Sequence, residues 1–469
     1  NGAGIYVEGT DTEISKSTFS ENNAVNGSGA YVDGKNTKIL DSTFTVNNAT
    51  NGAGVYVEGT DTEISKSIFT DNSAVNGAGG YVDGSDTVIF DSTFTVNEAD
   101  NGAGIYVEGT DTEINNSTFT NNYAVNGAGG YVDGRNTEIN NSTFTVNNAT
   151  NGAGIYVKGT HTEINNSTFD HNNATDGAGG YVNGDYTIIL DSTFEINNAT
   201  RGAGIYVDGI NTKILNTTFD SNNAVDGAGG YVDGSNTNIT SNSIFENNLA
   251  VNGAGIYVNG ARTNIQNTTF DSNNATNGGG AYIKGSDTEI LNSTFIKNNV
   301  TYHGGAVYID GSTSNFKNNN FIYNEAVPDN TVSELSGLGG AIFVRGDNTY
   351  TYANDFEHNK ARNGSAIYSS GTNFRLENDL FRENQAWSYL LVTVADPEVS
   401  YYNTSDVKIE VVHIGGDNMV NAIHNNATAD NIGLKNVSYV HSSGANLTTN
   451  ETEFEHPVEG VERSNGGNS

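Results

Sequence analysis

The residues of this 469-residue chain that can do chemistry stand in rows. Carboxylates recur 25 residues apart at Glu8, Asp33, Glu58, Asp83, Glu108 and Asp133, and the row resumes at Asp208 and Asp233. Two positions ahead of it runs a row of phenols: Tyr6, Tyr31, Tyr56, Tyr81 and onward. Cleaving a glycosidic bond needs acid and base groups that converge on one place. A residue repeated at a fixed interval is a property of a surface and defines no single site. Lys158, Asn183, Asn259 and Lys284 interrupt the acidic row without forming an acid/base constellation. Stacked like charges repel, so Glu8, Asp33, Glu58 and Asp83 are candidates to recruit Ca²⁺, the one cofactor the residues suggest. The phenol row, with acids beside it, makes a rail for an extended glycan, with Tyr6, Tyr31, Tyr56 and Tyr81 as candidate ligand-binding residues. His161, His171, Asp185, Tyr186 and Arg201 are polar but fall at separate points of the repeat, and His303 and His358 are isolated. No catalytic residue is assigned.

Rows this regular need a repeating element to hold them. Phe19, Phe44, Phe69, Phe94 and Phe119 follow at 25-residue intervals, and the series continues with small slips to Phe381. Three residues after each comes an asparagine: Asn22, Asn47, Asn72, Asn97 and so on to Asn384. Within one repeat, Ala3, Ile5 and Val7 alternate with Gly4, Tyr6 and Glu8, the period-two pattern of a strand with one buried face. Thr12-Glu13-Ile14 reads as a second short strand and Ser17-Thr18-Phe19 as a third, with Ile14 and Phe19 inward. Such strands cannot bury their apolar faces alone. Stacked coils, each strand paired in parallel with its copies about 4.8 Å away, bury them all. The period is too long for the hexapeptide repeats of a left-handed helix. The reading is therefore an all-β, right-handed single-stranded parallel β-helix of about 15 coils. Phe19, Asn22, Phe44, Asn47, Phe69, Asn72, Phe94 and Asn97 are its expected structural ladder, the rings stacked and the amides bonded from coil to coil. The residue before Tyr alternates between Ile or Val (Ile5, Val55, Ile105) and Ala or Gly (Ala30, Gly80, Gly130). Duplication of a two-coil unit accounts for its history, and no packing reason is visible in the sequence.

Composition narrows the function classes. The chain carries 20 basic and 55 acidic residues, a net charge of −35. Nucleic acid and anionic membrane surfaces are thereby disfavoured as partners. No cysteine is present, so disulfides play no part. No apolar run is long enough to span a bilayer, and Asn1 falls in mid-pattern. The chain reads as a piece of something longer, reaching a membrane only through a region outside it. Sequons at Asn48, Asn148, Asn173, Asn198, Asn216, Asn267, Asn274 and Asn292 make N-glycosylation a candidate modification, although several fall at the asparagine corner, where a buried amide would be shielded.

Regularity breaks twice. Ten extra residues separate Phe321 from Phe356, including Pro328 and the run from Asp329 to Gly337. This insertion is expected to project as a loop over 326–338, with Asp329 and Glu334 as candidate ligand-binding residues. After Trp387 the repeat stops. The expected division is a β-helix over 1–386 and a β-rich cap and linker over 387–469, the cap covering an otherwise unpaired strand edge.

Gly304-Gly305-Ala306-Val307, Gly339-Gly340-Ala341-Ile342 and the Phe-x-x-Asn series resemble the paired motifs of chlamydial polymorphic outer-membrane proteins. They are equally similar to the repeats of adhesin-like surface proteins of methanogenic archaea. The segments 417–423 and 456–460 resemble the stretch that follows such repeats in the methanogen family. Earlier coils depart from the motif, with Gly-Ala-Gly-Ile in place of Gly-Gly-Ala-Ile. The resemblance implies extracellular, cell-surface display and attachment to a glycan or protein on another cell, without catalysis. A sheath or fibre component that packs laterally is the first alternative, and a polysaccharide lyase or hydrolase the second.

Overall fold

The computed structural model describes residues 1–327 and 336–386, apart from 363, 373, 378 and 383, together with six short strands between 392 and 442. The chain is an all-β right-handed parallel solenoid of about 15 coils with about 25 residues per turn, without a helix among the described residues. It divides into two compact units, Asn1–Asn238 and Ile239–Ser469.

One coil shows how the sequence makes the turn. Gly80–Val82, Val88–Phe90 and Thr93–Thr95 are its three strands. The corners between them are single residues in the left-handed region: Asp86 (φ 56°), Asp91 (φ 51°) and Val96 (φ 56°). Gly77 (φ 61°) makes the remaining corner, where a methyl group would strike the Gly80 carbonyl. Aspartate and asparagine tolerate this conformation through their short polar side chains. Valine does not, yet Val46, Val96, Val146 and Ile196 adopt it at every second coil, about half exposed. The asparagine corner is more ordered than a plain turn: Ser73–Asn76, Glu98–Asn101 and Tyr123–Asn126 pair there as a fourth short strand.

Register is in phase throughout the first unit. Tyr81 pairs with Tyr106, Ile89 with Ile114 and Phe94 with Phe119. Phe44 through Phe219 are fully buried, and the rings from Phe19 to Phe219 stack at 4.6–5.0 Å between centroids. In the second unit Phe270 stacks on Phe295 at 4.6 Å and Phe321 on Phe356 at 4.8 Å. Against each ring from Phe19 to Phe219 lies a glycine that has no room for a side chain. A methyl group at Gly129 would overlap the Gly154 carbonyl oxygen and come within 2.6 Å of Phe144 Cδ1.

The asparagine ladder forms as expected. Asn97 Nδ2 donates to the Phe69 carbonyl (3.0 Å) and to Asn122 Oδ1 (3.1 Å), and the Asn97 backbone N–H donates to the same Oδ1 (3.0 Å). A second buried polar row, not anticipated from the sequence, supports the corner before the phenylalanine. Ser42 Oγ donates to the Leu40 carbonyl (2.9 Å) and accepts from the Ser17 N–H (3.2 Å). In the second unit this row becomes Asn319, Asn354 and the fully buried Asp379, whose carboxylate accepts from Asn354 Nδ2 and Thr351 Oγ1. Its signal was the 25-residue recurrence of Ser17, Ser42, Ser67 and Ser92.

The alternation before tyrosine is matched in the packing of the first unit. The position faces inward, with Val55 and Ala30 fully buried and Ile105 and Ile155 almost so. At Gly130 the methyl groups of the neighbouring coils fill the gap: a Cβ there would sit 3.5 Å from Ile105 Cγ2 and 3.8 Å from Ile155 Cγ1. In the first unit large and small residues interleave along the axis at this position, whereas Val307, Ile342 and Ile367 place branched side chains on successive coils of the second unit.

Past residue 386 the parallel pairing goes on. Val392–Asp396 pairs with Ile367–Thr372, Val412–Ile414 with Val392–Asp396, and Gly433–Leu434 with Val412–Ile414.

Candidate functional site

The phenol and acid rows lie together on the outer side of the Gly80–Val82 strand and its copies. Tyr6 through Tyr231 stack in one column, ring centroids 4.7–5.1 Å apart and planes within 8°. Each ring therefore has its faces against its neighbours. Tyr31 is 4% exposed, and Tyr56 and Tyr81 are 8% exposed; Tyr6, at the first coil, is 45% exposed. A sugar cannot stack on the ring faces of Tyr31, Tyr56 or Tyr81, because other phenols occupy them. The parity that placed these rings outward holds, but outward residues so closely stacked seal one another.

Several phenols are also tied to the acidic row. The Tyr31 hydroxyl donates to Glu58 and the Tyr81 hydroxyl to Glu108. Tyr56 donates to Asp83 Oδ2 at 3.3 Å and Tyr206 to Asp233 Oδ2 at 3.2 Å. Burial, then the negative charge of Asp83, pushes the Tyr56 phenol up to about 12. Burial raises Tyr81, Tyr106, Tyr131 and Tyr181 in the same direction. Burial and the adjacent Asp233 raise the Asp208 carboxyl. Among the described residues no group of three or more His, Asp or Glu is placed to hold a metal ion. Glu58, Asp83, Glu108 and Asp233 accept from phenols, and Lys158 Nζ caps Asp133 at 2.6 Å.

A further row edges the tyrosines: Asn26, Asn51, Asn76, Asn101, Asn126 and Asn151. Each amide donates to the one before it, at 3.1, 3.0, 2.9, 2.9 and 2.8 Å. Sequence reasoning passed over this row, although its signal was plain in the asparagine just before each Gly27-type corner. Farther along, the row becomes Asp176 and Arg201, a bidentate pair with both bonds at 2.7 Å. The Arg201 guanidinium lies 5.1 Å from the Tyr206 ring centroid and 5.8 Å from that of Tyr231. Arg201 thus joins the tyrosine face.

The other histidine and tyrosine candidates stay apart. His161 stacks on Tyr186 at 5.0 Å at one corner, and His171 pairs with Asp170 at another. Asp185 accepts from the Ile210 N–H. His303 stacks on Phe343 at 4.6 Å, and burial lowers it to about 4. Asp329 and Glu334 lie outside the described residues. All eight sequon asparagines named above are exposed, each on the corner residue next to or away from the buried ladder, so the expectation that several would be shielded is corrected. Asn48, for example, projects to solvent while Asn47 is buried.

Against known proteins, a family described as "right handed beta helix region" matches residues 3–150 and 103–274, more than half of the chain in all. No curated protein matches. Three solved structures are similar at low identity. The surface adhesin PfbA of Streptococcus pneumoniae is 12% identical, with a TM-score of 0.36 over 81% of this chain and 85% of that one. The Dettilon tailspike protein is 13% identical, with a TM-score of 0.36 over 72% of this chain; the chain spans 62% of the tailspike's length. A PL6 alginate lyase in complex with a trisaccharide is 11% identical, with a TM-score of 0.33 over 91% of this chain and 80% of that one.

Proposed function

From the premise that this chain belongs to the right-handed β-helix family, we propose that it is a non-catalytic, extracellular surface protein of the adhesin-like kind, attaching to glycans or proteins of another cell. The observation that carries this reading is the row geometry. Acids, phenols and amides on the outer side recur coil after coil and spend their bonds on each other. Among the described residues, the acids of this face are repeated coil by coil and are not gathered at one point. Contact with a partner is then weak at each coil and gains strength by repetition. The kinship with adhesin-like surface proteins of methanogens, and Ca²⁺ at the acidic row, belong to this proposal. So does glycan attachment at exposed sequons such as Asn48 and Asn148.

The test is a glycan and whole-cell binding screen with the chain clustered on beads, repeated with 326–338 deleted. Retention on cells or glycans that weakens in the deletion variant supports the reading. Release of sugar fragments from a uronan by the purified chain would overturn it in favour of an enzyme. A second reading, lateral assembly into a sheath, is favoured by Val46, Val96, Val146 and Ile196, half-exposed apolar residues held in a strained conformation at every second coil. Ordered filaments from purified protein without a partner would establish it.

A further inference from the structure

Every asparagine of the row that edges the tyrosines is followed by glycine: Asn26-Gly27, Asn51-Gly52, Asn76-Gly77, Asn101-Gly102, Asn126-Gly127 and Asn151-Gly152. Asn-Gly is the dipeptide most open to self-modification. The glycine nitrogen loses its proton and attacks the asparagine Cγ. The Cγ–Nδ2 bond breaks, ammonia leaves, and a cyclic imide remains. Water opens the imide at Cγ to give aspartate, or at the backbone carbonyl carbon to give isoaspartate, with glycine then joined through the side chain. The step needs a free glycine N–H and a side-chain carbonyl able to turn toward it.

The fold holds both groups, and each time the following coil does the holding. Gly77 N–H donates to the Asn101 backbone carbonyl (2.9 Å), and Asn101 Nδ2 donates to Asn76 Oδ1 (2.9 Å). Asn76 guards Asn51-Gly52 in the same way, with both bonds at 3.0 Å, and Asn151 guards Asn126-Gly127, at 2.9 and 2.8 Å. The end of the row differs. After Asn151 comes Asp176, whose carboxylate accepts both bonds of Arg201 and has no proton to give to Asn151 Oδ1. Gly152 N–H keeps its bond to the Asp176 carbonyl (2.9 Å), so Asn151 has one guard where the others have two.

Conversion of one asparagine acts on the one before it. The Asn101 Nδ2 that holds Asn76 is the atom lost as ammonia. The Asn101 carbonyl that holds Gly77 N–H is the carbonyl that the imide ring takes up. We propose that this row is a self-modifying site, converted in order from Asn151 toward Asn26, one coil at a time. Local opening of the coil that carries Asp176 frees Gly152 N–H and starts the series. Each conversion adds a negative charge beside the tyrosine column. The acid already in the row, Asp176, has Arg201 against it; a converted asparagine has another asparagine or a second carboxylate.

Ageing the folded full chain at mildly alkaline pH tests this, with each Asn-Gly peptide followed by mass spectrometry. Asn151 is expected to convert roughly threefold to tenfold faster than Asn126, as one hydrogen bond fewer implies, and Asn101 to lag behind Asn126. In denaturant all six are expected to convert at similar rates. Asn151→Asp supplies the converted side chain from the start, and is expected to raise the rate at Asn126 by roughly the same factor and leave Asn26 unchanged. Asn26 converting as fast as Asn151 in the folded chain overturns the proposal. So does a folded chain in which none converts while the denatured chain converts fully. An Asn126 rate unmoved by Asn151→Asp also overturns it, and an equal rise at all the remaining sites, the mark of global unfolding, does the same.

Discussion

The side chain of a ladder asparagine carries four hydrogen bonds, and that of the residue following one carries almost none. Asn122 accepts twice from Asn97 and donates to the Phe94 carbonyl and to Asn147, all at 3.0–3.1 Å and all buried. Asn122→Ala strands a buried carbonyl and an amide, and is expected to cost about 2–4 kcal/mol. Asn148→Ala, one residue beyond Asn147 and exposed, is expected to stay within about 0.5 kcal/mol. Denaturant unfolding of the two variants checks the contrast. Strain at the corners is also a residue-scale effect. Val146 has φ 57° where the preceding coil has Asn121 at φ 52°. Val146→Asn is expected to stabilise the fold by about 0.5–1 kcal/mol, read as a higher midpoint, because asparagine tolerates that conformation. If the midpoint falls, the valine makes a contact that outweighs its strain.

At the scale of the strand, two adjacent glycines behave differently. A methyl group at Gly130 meets side-chain carbons at 3.5–3.8 Å, whereas one at Gly129 meets backbone and a phenylalanine ring in overlap. Gly130→Ala is expected to be neutral or stabilising by up to about 1 kcal/mol, since alanine occupies the same position at Ala30. Gly129→Ala is expected to destabilise by at least about 2 kcal/mol, and Gly130→Ile by about 1–3 kcal/mol through collision with Ile105 and Ile155. Thermal unfolding of the three variants decides. The tyrosine column makes a second prediction at this scale. The phenols of Tyr56, Tyr81, Tyr106, Tyr131, Tyr181 and Tyr206 are raised above the ordinary value of 10 in the folded state, Tyr56 to about 12, so their protonated form is favoured by folding. That contribution is intact below pH 10 and is lost as pH rises toward 12. Ultraviolet titration should show most of the column still protonated just above pH 10, with phenolate appearing together with unfolding.

For the molecule as a whole, acid acts through a buried imidazole. His303, in the second unit, is lowered from 6.5 to about 4 by burial. Its unfolded form therefore binds a proton that the folded form refuses, and stability falls as pH drops from 6.5 toward 4. His303→Phe keeps a ring against Phe343 and removes the titration, so its unfolding midpoint should be less sensitive to pH over that range. The net charge of −35 adds self-repulsion that salt relieves. Stability of the whole chain is thus expected to rise with moderate salt at neutral pH, measured as the unfolding midpoint against ionic strength.

The amino-acid sequence alone determined the coil, its three strands, and the phenylalanine and asparagine columns. Each depends on local parity and on a strict period, and stacking in register turns a period into a column. Phe94 and Asn97 were legible for that reason. The serine row at Ser42 and the asparagine row at Asn51 carried the same signal, but nothing local said that they were tied from coil to coil. Tertiary structure alone decided what the outward faces offer. Parity placed Tyr31, Tyr56 and Tyr81 outside the core, but only the spacing of neighbouring coils closes one ring over the next and gives Glu58 and Asp83 to the phenols. A sequence reports which way a side chain points; how much of it is left for a partner depends on the atoms of the coils above and below.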